Sequence, residues 1–229
     1  MMPDLRVGTY NLRDGGLDNG SPERLRRQLA MLAAEELDVL GLQELKGLEA
    51  HGWELLYDAE DTLGMRSFLV KSAHHGCHLA TFLRPSRVRV LRERHEHGPY
   101  WHALVGLQCL IDGQHEVDIA NVHLAPGRPG FRKLEAESVG AWAKGARSRG
   151  VIVVGDFNAA PIDHETTDDA GGKLDRRAAL ELAQAKLIDV GARWGIARRP
   201  WGMTGRERRP SCATGSSSGC RARRSPTMR

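Results

Sequence analysis

Leu5-Arg6-Val7-Gly8-Thr9-Tyr10 alternates apolar with polar or small residues and predicts a first strand, ending at Asn11. A polar, glycine-rich loop follows from Arg13 to Gly20. Ser21-Pro22-Glu23 then carries the marks of a helix start: Ser21 as N-cap, proline at the first helical position, an acid in the first turn. Leu25, Leu29, Leu32 and Ala33 recur at helical spacing and give that helix an apolar face. Asp38 to Gln43 reads as a buried strand, with Glu44 at its end. Strand, helix, strand in this order is a βαβ-like beginning.

Trp53 to Val70 reads as a short strand, a helical turn around Glu60 to Met65, and another strand through Phe68. Leu79 to Leu83 and Val88 to Leu91 predict two strands about the turn Arg84-Pro85-Ser86, and Tyr100 to Ile111 is strand-like. Asp112-Gly113 is a hairpin signal, and His115 to Leu124 is the return strand. Side chains alternate along a strand, so Val117, Ile119, Asn121 and His123 share one face. Phe131 to Arg147 has helical composition, with Leu134, Ser138, Ala141 and Trp142 expected on its inner face. Val151-Ile152-Val153-Val154 is an unbroken β-branched run and predicts a buried strand, closed by Gly155 and followed by Asp156 and Asn158. Arg176 to Lys186 predicts a last helix, with Asp175 as a possible N-cap, and Leu187-Ile188-Asp189-Val190 follows it.

Composition adds little to this picture until the charge is divided. The net charge of +4 hides a contribution of +6 from Arg206 to Arg229, which hold seven arginines and one glutamate, so the remainder carries −2. The basic character belongs to the tail, and the usual inference from a high pI to a nucleic-acid partner is weak here. That tail has almost no apolar residue and reads as disordered. No apolar run is long enough to span a bilayer. The segment MMPDLRVGTYNL has no charged stretch followed by an apolar core, so no signal peptide is expected and cytoplasmic residence is the default. Cys77, Cys109, Cys212 and Cys220 show neither CxxC spacing nor a disulfide framework.

Candidate chemistry gathers at strand ends: Asn11, Glu44, Asn121 with His123, and Asp156 with Asn158. Taken singly, Asn11 reads more readily as a turn residue and Asn121 as an ordinary strand asparagine. Glu44 reads equally as a solvated charge and His123 as a satisfied strand histidine. Jointly they lie where sites of α/β sheets form, outside the carboxyl ends of strands. Glu44 and Asn11 offer hard oxygens suited to Mg2+. His123 can hydrogen-bond a phosphate oxygen or donate a proton. Asp156 can orient or deprotonate water, and Asn158 can hold a phosphate oxygen without adding negative charge. His74, His75, Cys77 and His78 form a second, local cluster, for which a zinc site is the minority reading because no second ligand segment is evident.

The ordered set TYNLR, LGLQEL, IANVHL and VVGDFNAAP resembles the endonuclease/exonuclease/phosphatase family of DNase I-like phosphodiesterases, over about residues 5 to 205. The resemblance implies an α/β (α+β) fold: a four-layer sandwich of two packed mixed β-sheets flanked by helices. It implies hydrolysis of a phosphoester by an activated water with Mg2+ or Mn2+. It assigns Asn11 and Glu44 to the metal, His123 and Asp156 to catalysis, and Asn158 to catalysis and phosphate contact. Asn121, Asn158 and His78 are the expected substrate contacts, and Leu187 to Val190 matches a structural segment. The family pattern closes with further strands and a Ser-Asp-His motif. No such motif occurs in this sequence, and Ile162-Asp163-His164 comes too early to replace it.

The sequence therefore predicts a domain over 1–205 lacking the family's C-terminal strands, and a basic, disordered tail over 206–229. That tail reads either as an anion-binding appendage or, the preferred reading, as the product of a shifted reading frame. The expected function is a metal-dependent phosphoesterase of doubtful activity; its rival is a degenerate, non-catalytic binding protein on the same scaffold. The expected partner is a phosphate ester, nucleic acid included, although the −2 body disfavours a general DNase; the oligomeric state stays open.

Overall fold

The structure is a computed structural model, and it describes residues 4–162 and 175–190. The tail from 206, which stands where the family's closing strands belong, and Asp163-His164 lie outside the described residues.

Two four-stranded sheets form the centre, with strand orders β1-β2-β4-β3 and β5-β6-β7-β8. In the first, β1 (Val7–Asn11) runs parallel to β2 (Val39–Gln43), β4 (Leu79–Leu83) lies antiparallel to β2, and β3 (Arg66–Val70) closes against β4. In the second, β5 (Val88–Glu93), β6 (Leu104–Ile111) and β7 (His115–His123) form an antiparallel meander. β8 (Gly150–Asp156) then joins β7 in parallel. Both sheets are mixed, and among the described residues β1 and β8 are each paired on one side only.

Three apolar layers hold the elements together. α1 (Glu23–Ala33) and α2 (Glu54–Leu63) cover the first sheet through Leu25, Leu29, Leu56 and Ala59 against Leu40, Leu42 and Phe82. Between the sheets, Val39, Leu79 and Leu83 meet Val105, Leu107, Val117 and Ile119. α3 (Pro129–Lys144) and α4 (Arg177–Gln184) cover the second sheet, with Ala136, Val139, Trp142 and Ala178 against Ala120 and Val122. Helix, sheet, sheet and helix are thus four layers, as the resemblance implies. No helix among the described residues is long and apolar enough to cross a membrane.

Several local expectations shift. Trp53 to Leu63 contains no strand: a 3-10 turn (Ala50–Trp53) leads into α2, because Leu56, Ala59 and Leu63 bury at helical spacing. Ser21 is not the cap of α1. Its backbone N–H and C=O are exchanged with Asp18, and Pro22 stands at the N-cap with no side-chain bond. Nor is Asp175 the N-cap of α4: Arg176 stands there, and Asp175, one residue earlier, accepts the Arg177 N–H on its Oδ1 at 2.8 Å. The inner face of α3 is rotated from the expected one. Leu134 is 52 % exposed, whereas Arg132 and Glu135 are fully buried. Arg132 donates to the carbonyls of Ala125 and Pro126 and to Asp175, so a guanidinium rather than a leucine is buried at this end of α3, while Trp142 is buried as expected.

The two sheets are also joined by polar contact. Asn121 on β7 accepts from Gln43 Nε2 at 2.8 Å and donates to the carbonyls of Leu42 at 3.1 Å and Ala80 at 2.9 Å. Gly41 makes room for this, since a Cβ there would lie 2.6 Å from Val154 Cγ2 and 3.0 Å from Asn121 Cγ. With the Asn121 side chain fully buried, replacing it leaves one Gln43 amide hydrogen without its acceptor in the interior and removes a donor from the Leu42 and Ala80 carbonyls; Gln43 keeps its bond to Thr9. Asn121→Leu is expected to lower stability by about 2–4 kcal/mol, read from urea unfolding. A loss within about 0.5 kcal/mol, the range of an ordinary surface change, would contradict the cross-sheet role.

Candidate active site

Four segments deliver polar groups to one end of the sandwich. β1 ends in Asn11, β2 is followed by Glu44, β7 ends in His123, and β8 ends in Asp156. The parallel β7–β8 register sets His123 opposite Asp156. Gly155 permits that register: at φ 151 it occupies a backbone region open to glycine, and a Cβ would fall 2.1 Å from the Val122 carbonyl oxygen.

Asn11 is the point where the sheets' ends meet. Its Nδ2 donates to Glu44 Oε1 at 2.9 Å and to Asp156 Oδ2 at 2.9 Å, while its Oδ1 accepts the Arg13 N–H at 2.8 Å. Glu44 sits at φ 58, a left-handed conformation that a glutamate rarely adopts. The surroundings hold it there. Its Oε2 accepts the Asp14 N–H at 2.9 Å, and its backbone carbonyl accepts from Gly15 and Lys46. Strain of this kind costs about 1–3 kcal/mol and persists where neighbouring contacts over-determine it, often at functional sites. Asn158 is also left-handed, at φ 47. Its N–H donates to Asp156 Oδ1 at 2.9 Å and its Nδ2 to the Leu124 carbonyl at 2.8 Å, tying the turn after β8 to the residue after His123.

His123 is 3 % exposed, with Nε2 3.9 Å from Asp156 Oδ2. Burial pushes its pKa below the ordinary histidine value, against the opposing pull of Asp156 and Glu44. Its Nδ1 is buried and has no hydrogen-bond partner among the described residues.

The structure brings Asn11, Glu44, His123, Asp156 and Asn158 together. It does not bring Asn121 and His78 into that group. The Asn121 side chain is fully buried and occupied by the cross-sheet bonds. His78 is 6 % exposed; its Nδ1 accepts the Ser72 N–H at 3.1 Å and its Nε2 faces Glu49 at 3.5 Å. Neither contact leads to Asn11, Glu44 or Asp156. His74 stacks on Trp101, with ring centroids 4.1 Å apart, and Arg128 lies 4.7 Å from the same ring. Among the described residues no group of three or more His, Cys, Asp or Glu is placed to hold a metal, the His74–His78 cluster included. A cleft of about 660 Å3 at the other end of β1 and β2 holds mutually paired charges, Arg87 with Asp38 and Asp112, and Arg6 with Glu36.

Two further residues stand beside this group, neither given a site role from the sequence. His102, 3 % exposed, stacks on His123, and Glu135 accepts the backbone N–H groups of Trp101 at 2.6 Å and Ala125 at 2.7 Å. A single buried carboxylate on α3 thus pins the two loops beside the stacked rings. Only the polar residues inside the helical pattern of α3 hinted at this.

The fold is thus a two-sheet α/β sandwich with polar groups gathered at the ends of its strands. The model of the endonuclease/exonuclease/phosphatase family matches residues 8–217, and the chain belongs to that family. Among solved structures, it is similar to a humanized D. rerio TDP2 carrying 14 mutations, at 21 % identity and TM-score 0.58, covering 82 % of this chain and 68 % of that one. It is also similar to the human nocturnin catalytic domain with bound sulfate, at 21 % identity and TM-score 0.54, covering 69 % and 65 %. A mannosyl-6-phosphatase of Bacteroides thetaiotaomicron matches at 19 % identity and TM-score 0.58, covering 79 % and 70 %. At these identities the likeness is one of fold, and the chain spans about two thirds of the length of these structures. No curated protein matches it in sequence.

Burial, then the neighbouring His123, pulls the pKa of His102 from the ordinary 6.5 to about 3. A histidine whose folded pKa is depressed stabilises the fold above its unfolded pKa, and that contribution is lost as pH falls. Stability is therefore expected to decline from about pH 6.5 toward pH 3, and less steeply in His102→Phe. Urea midpoints across that range check this; parallel profiles for the two proteins would contradict it.

Proposed function

We propose that this chain is a divalent-cation-dependent phosphoesterase in which Asn11 and Glu44 hold the cation and His123, Asp156 and Asn158 act at the phosphate. The observation that carries the reading is the Asn11 amide set between two carboxylate oxygens of Glu44 and Asp156. An N–H dipole there offsets the repulsion of two anions, a role that a hard cation fills more strongly. The carboxylate oxygens of Glu44, and the Asn11 amide oxygen that here accepts the Arg13 N–H, are hard donors that suit Mg2+ or Mn2+. Mg2+ keeps several waters and takes substrate oxygens, so the small donor set fits it. When bound, the cation supplies a Lewis acid that polarises a phosphoryl oxygen.

The chain's own residues then divide the remaining work. His123, held neutral by burial, donates a hydrogen bond to a phosphoryl oxygen and stabilises charge that develops there. Asp156 has both oxygens fixed by N–H donors, and its remaining lone pairs orient the attacking water. Asn158 commits one amide hydrogen to Leu124 and directs the other toward a phosphate oxygen. The body's charge of −2 provides no basic track for duplex DNA, which favours a small phosphoester.

A second reading, a scaffold that binds cation and phosphate without turnover, is favoured by one observation: among the described residues His123 Nδ1 lacks the partner that orients a catalytic histidine. Turnover is accordingly expected to be weak, since full acid–base assistance contributes about 10²–10⁴-fold. Hydrolysis of bis(p-nitrophenyl) phosphate and p-nitrophenyl phosphate by the 229-residue chain, with Mg2+ and with EDTA, tests both. Slow, EDTA-sensitive turnover abolished by Asp156→Ala and Glu44→Ala is expected. Mg2+ binding lost in Glu44→Ala without any turnover would select the scaffold reading. Turnover indifferent to EDTA and to both substitutions would refute the phosphoesterase site.

A further inference from the structure

His102 lies just before β6, and its ring is stacked on that of His123, with centroids 4.3 Å apart and planes inclined by 13°. Both rings are 3 % exposed. His102 is anchored in turn by Ser72, whose Oγ lies 2.9 Å from His102 Nδ1. The hydroxyl has one hydrogen, which it donates to the His74 carbonyl at 3.0 Å, and it accepts the His74 N–H at 3.1 Å. A carbonyl only accepts, so that hydrogen is committed and the oxygen must accept from His102. This bonding pattern assigns the His102 hydrogen to Nδ1, the assignment that the spectra below test.

His123 has no comparable anchor. Its Nδ1 has no partner among the described residues, and 3.9 Å from Nε2 to Asp156 is too long for a hydrogen bond. Histidine rings at functional sites are usually oriented by a bond to the second nitrogen. Here the flat contact with His102 restricts rotation of the His123 ring. The two loops are fixed relative to each other by Glu135, which binds the N–H of Trp101, next to His102, and of Ala125, two residues beyond His123.

We propose that His102 is a positioning residue for His123, which it orients through ring stacking from an anchor on Ser72, in place of a hydrogen bond to His123 Nδ1. The assignment of His123 to the reacting phosphate rests on the phosphoesterase reading; the stacking role itself does not.

The test uses the full chain in wild-type form and as His102→Ala, His102→Phe and Ser72→Ala. In the metal-free protein, long-range 15N–1H spectra of labelled histidine report each ring's tautomer without reference to activity. His102 is expected as the Nδ1–H form in the wild type. His123 is expected as a single tautomer in wild type and His102→Phe, and as an exchange-averaged pair of tautomers in His102→Ala. In hydrolysis of bis(p-nitrophenyl) phosphate, His102→Ala is expected to lower kcat about 10- to 100-fold with KM nearly unchanged. His102→Phe, which keeps a flat face, is expected to recover most of that loss. Ser72→Ala opens no ring-sized cavity and remains informative if His102→Ala does not fold; it is expected to release the His102 tautomer. An Nε2–H tautomer for His102, an unchanged His123 spectrum in His102→Ala, or a Phe variant no better than Ala would overturn the proposal. If the wild type shows no turnover, the phosphoesterase reading fails and the spectra alone decide the positioning role.

Discussion

Asn11 donates one amide nitrogen to two carboxylates that come from different sheets. Glu44 follows β2 in the first sheet and Asp156 ends β8 in the second, so the bond pair closes the sandwich at its functional end. Two acids brought this close repel unless a positive group stands between them. The geometry of the site, the left-handed Glu44 backbone and the facing of His123 toward Asp156 all depend on that arrangement. The interior contributes from behind. Asn121 and Gln43 join the sheets below the site, and Gly41 and Gly155 let the strands approach closely enough for the groups to meet.

The strand-end groups were legible in the sequence because alternation and buried runs locate strand termini well. Asn11, Glu44, His123 and Asp156 stand at ends that periodicity alone places within a residue or two. The role of Asn121 was not legible. An asparagine on the same strand face as His123 looks equally suited to a ligand or to the interior, and only the opposite sheet's carbonyls decide it. The inner face of α3 was misplaced for a related reason. Arg132 and Glu135 look like solvent residues, but each finds buried backbone partners that satisfy it. His102 was invisible as a site group because stacking between residues distant in sequence leaves no local pattern.

Membership of the endonuclease/exonuclease/phosphatase family sets the class of chemistry, and the same fold serves many substrates. What distinguishes this chain is the environment of His123. A buried imidazole with one unpartnered nitrogen and a second imidazole against its face differs from a histidine oriented by a carboxylate. This environment bears on rate more than on the proposed cation binding, which is assigned to Asn11 and Glu44.

The central proposal is that Asn11 and Glu44 hold a divalent cation at the strand ends, beside Asp156 of the other sheet. Electron paramagnetic resonance of Mn2+ titrated into the full chain tests it most directly. The account predicts a site occupied in the wild type, lost in Glu44→Gln and retained in His123→Phe. Mn2+ binding unaffected by Glu44→Gln, or no binding by the folded wild type, would contradict it.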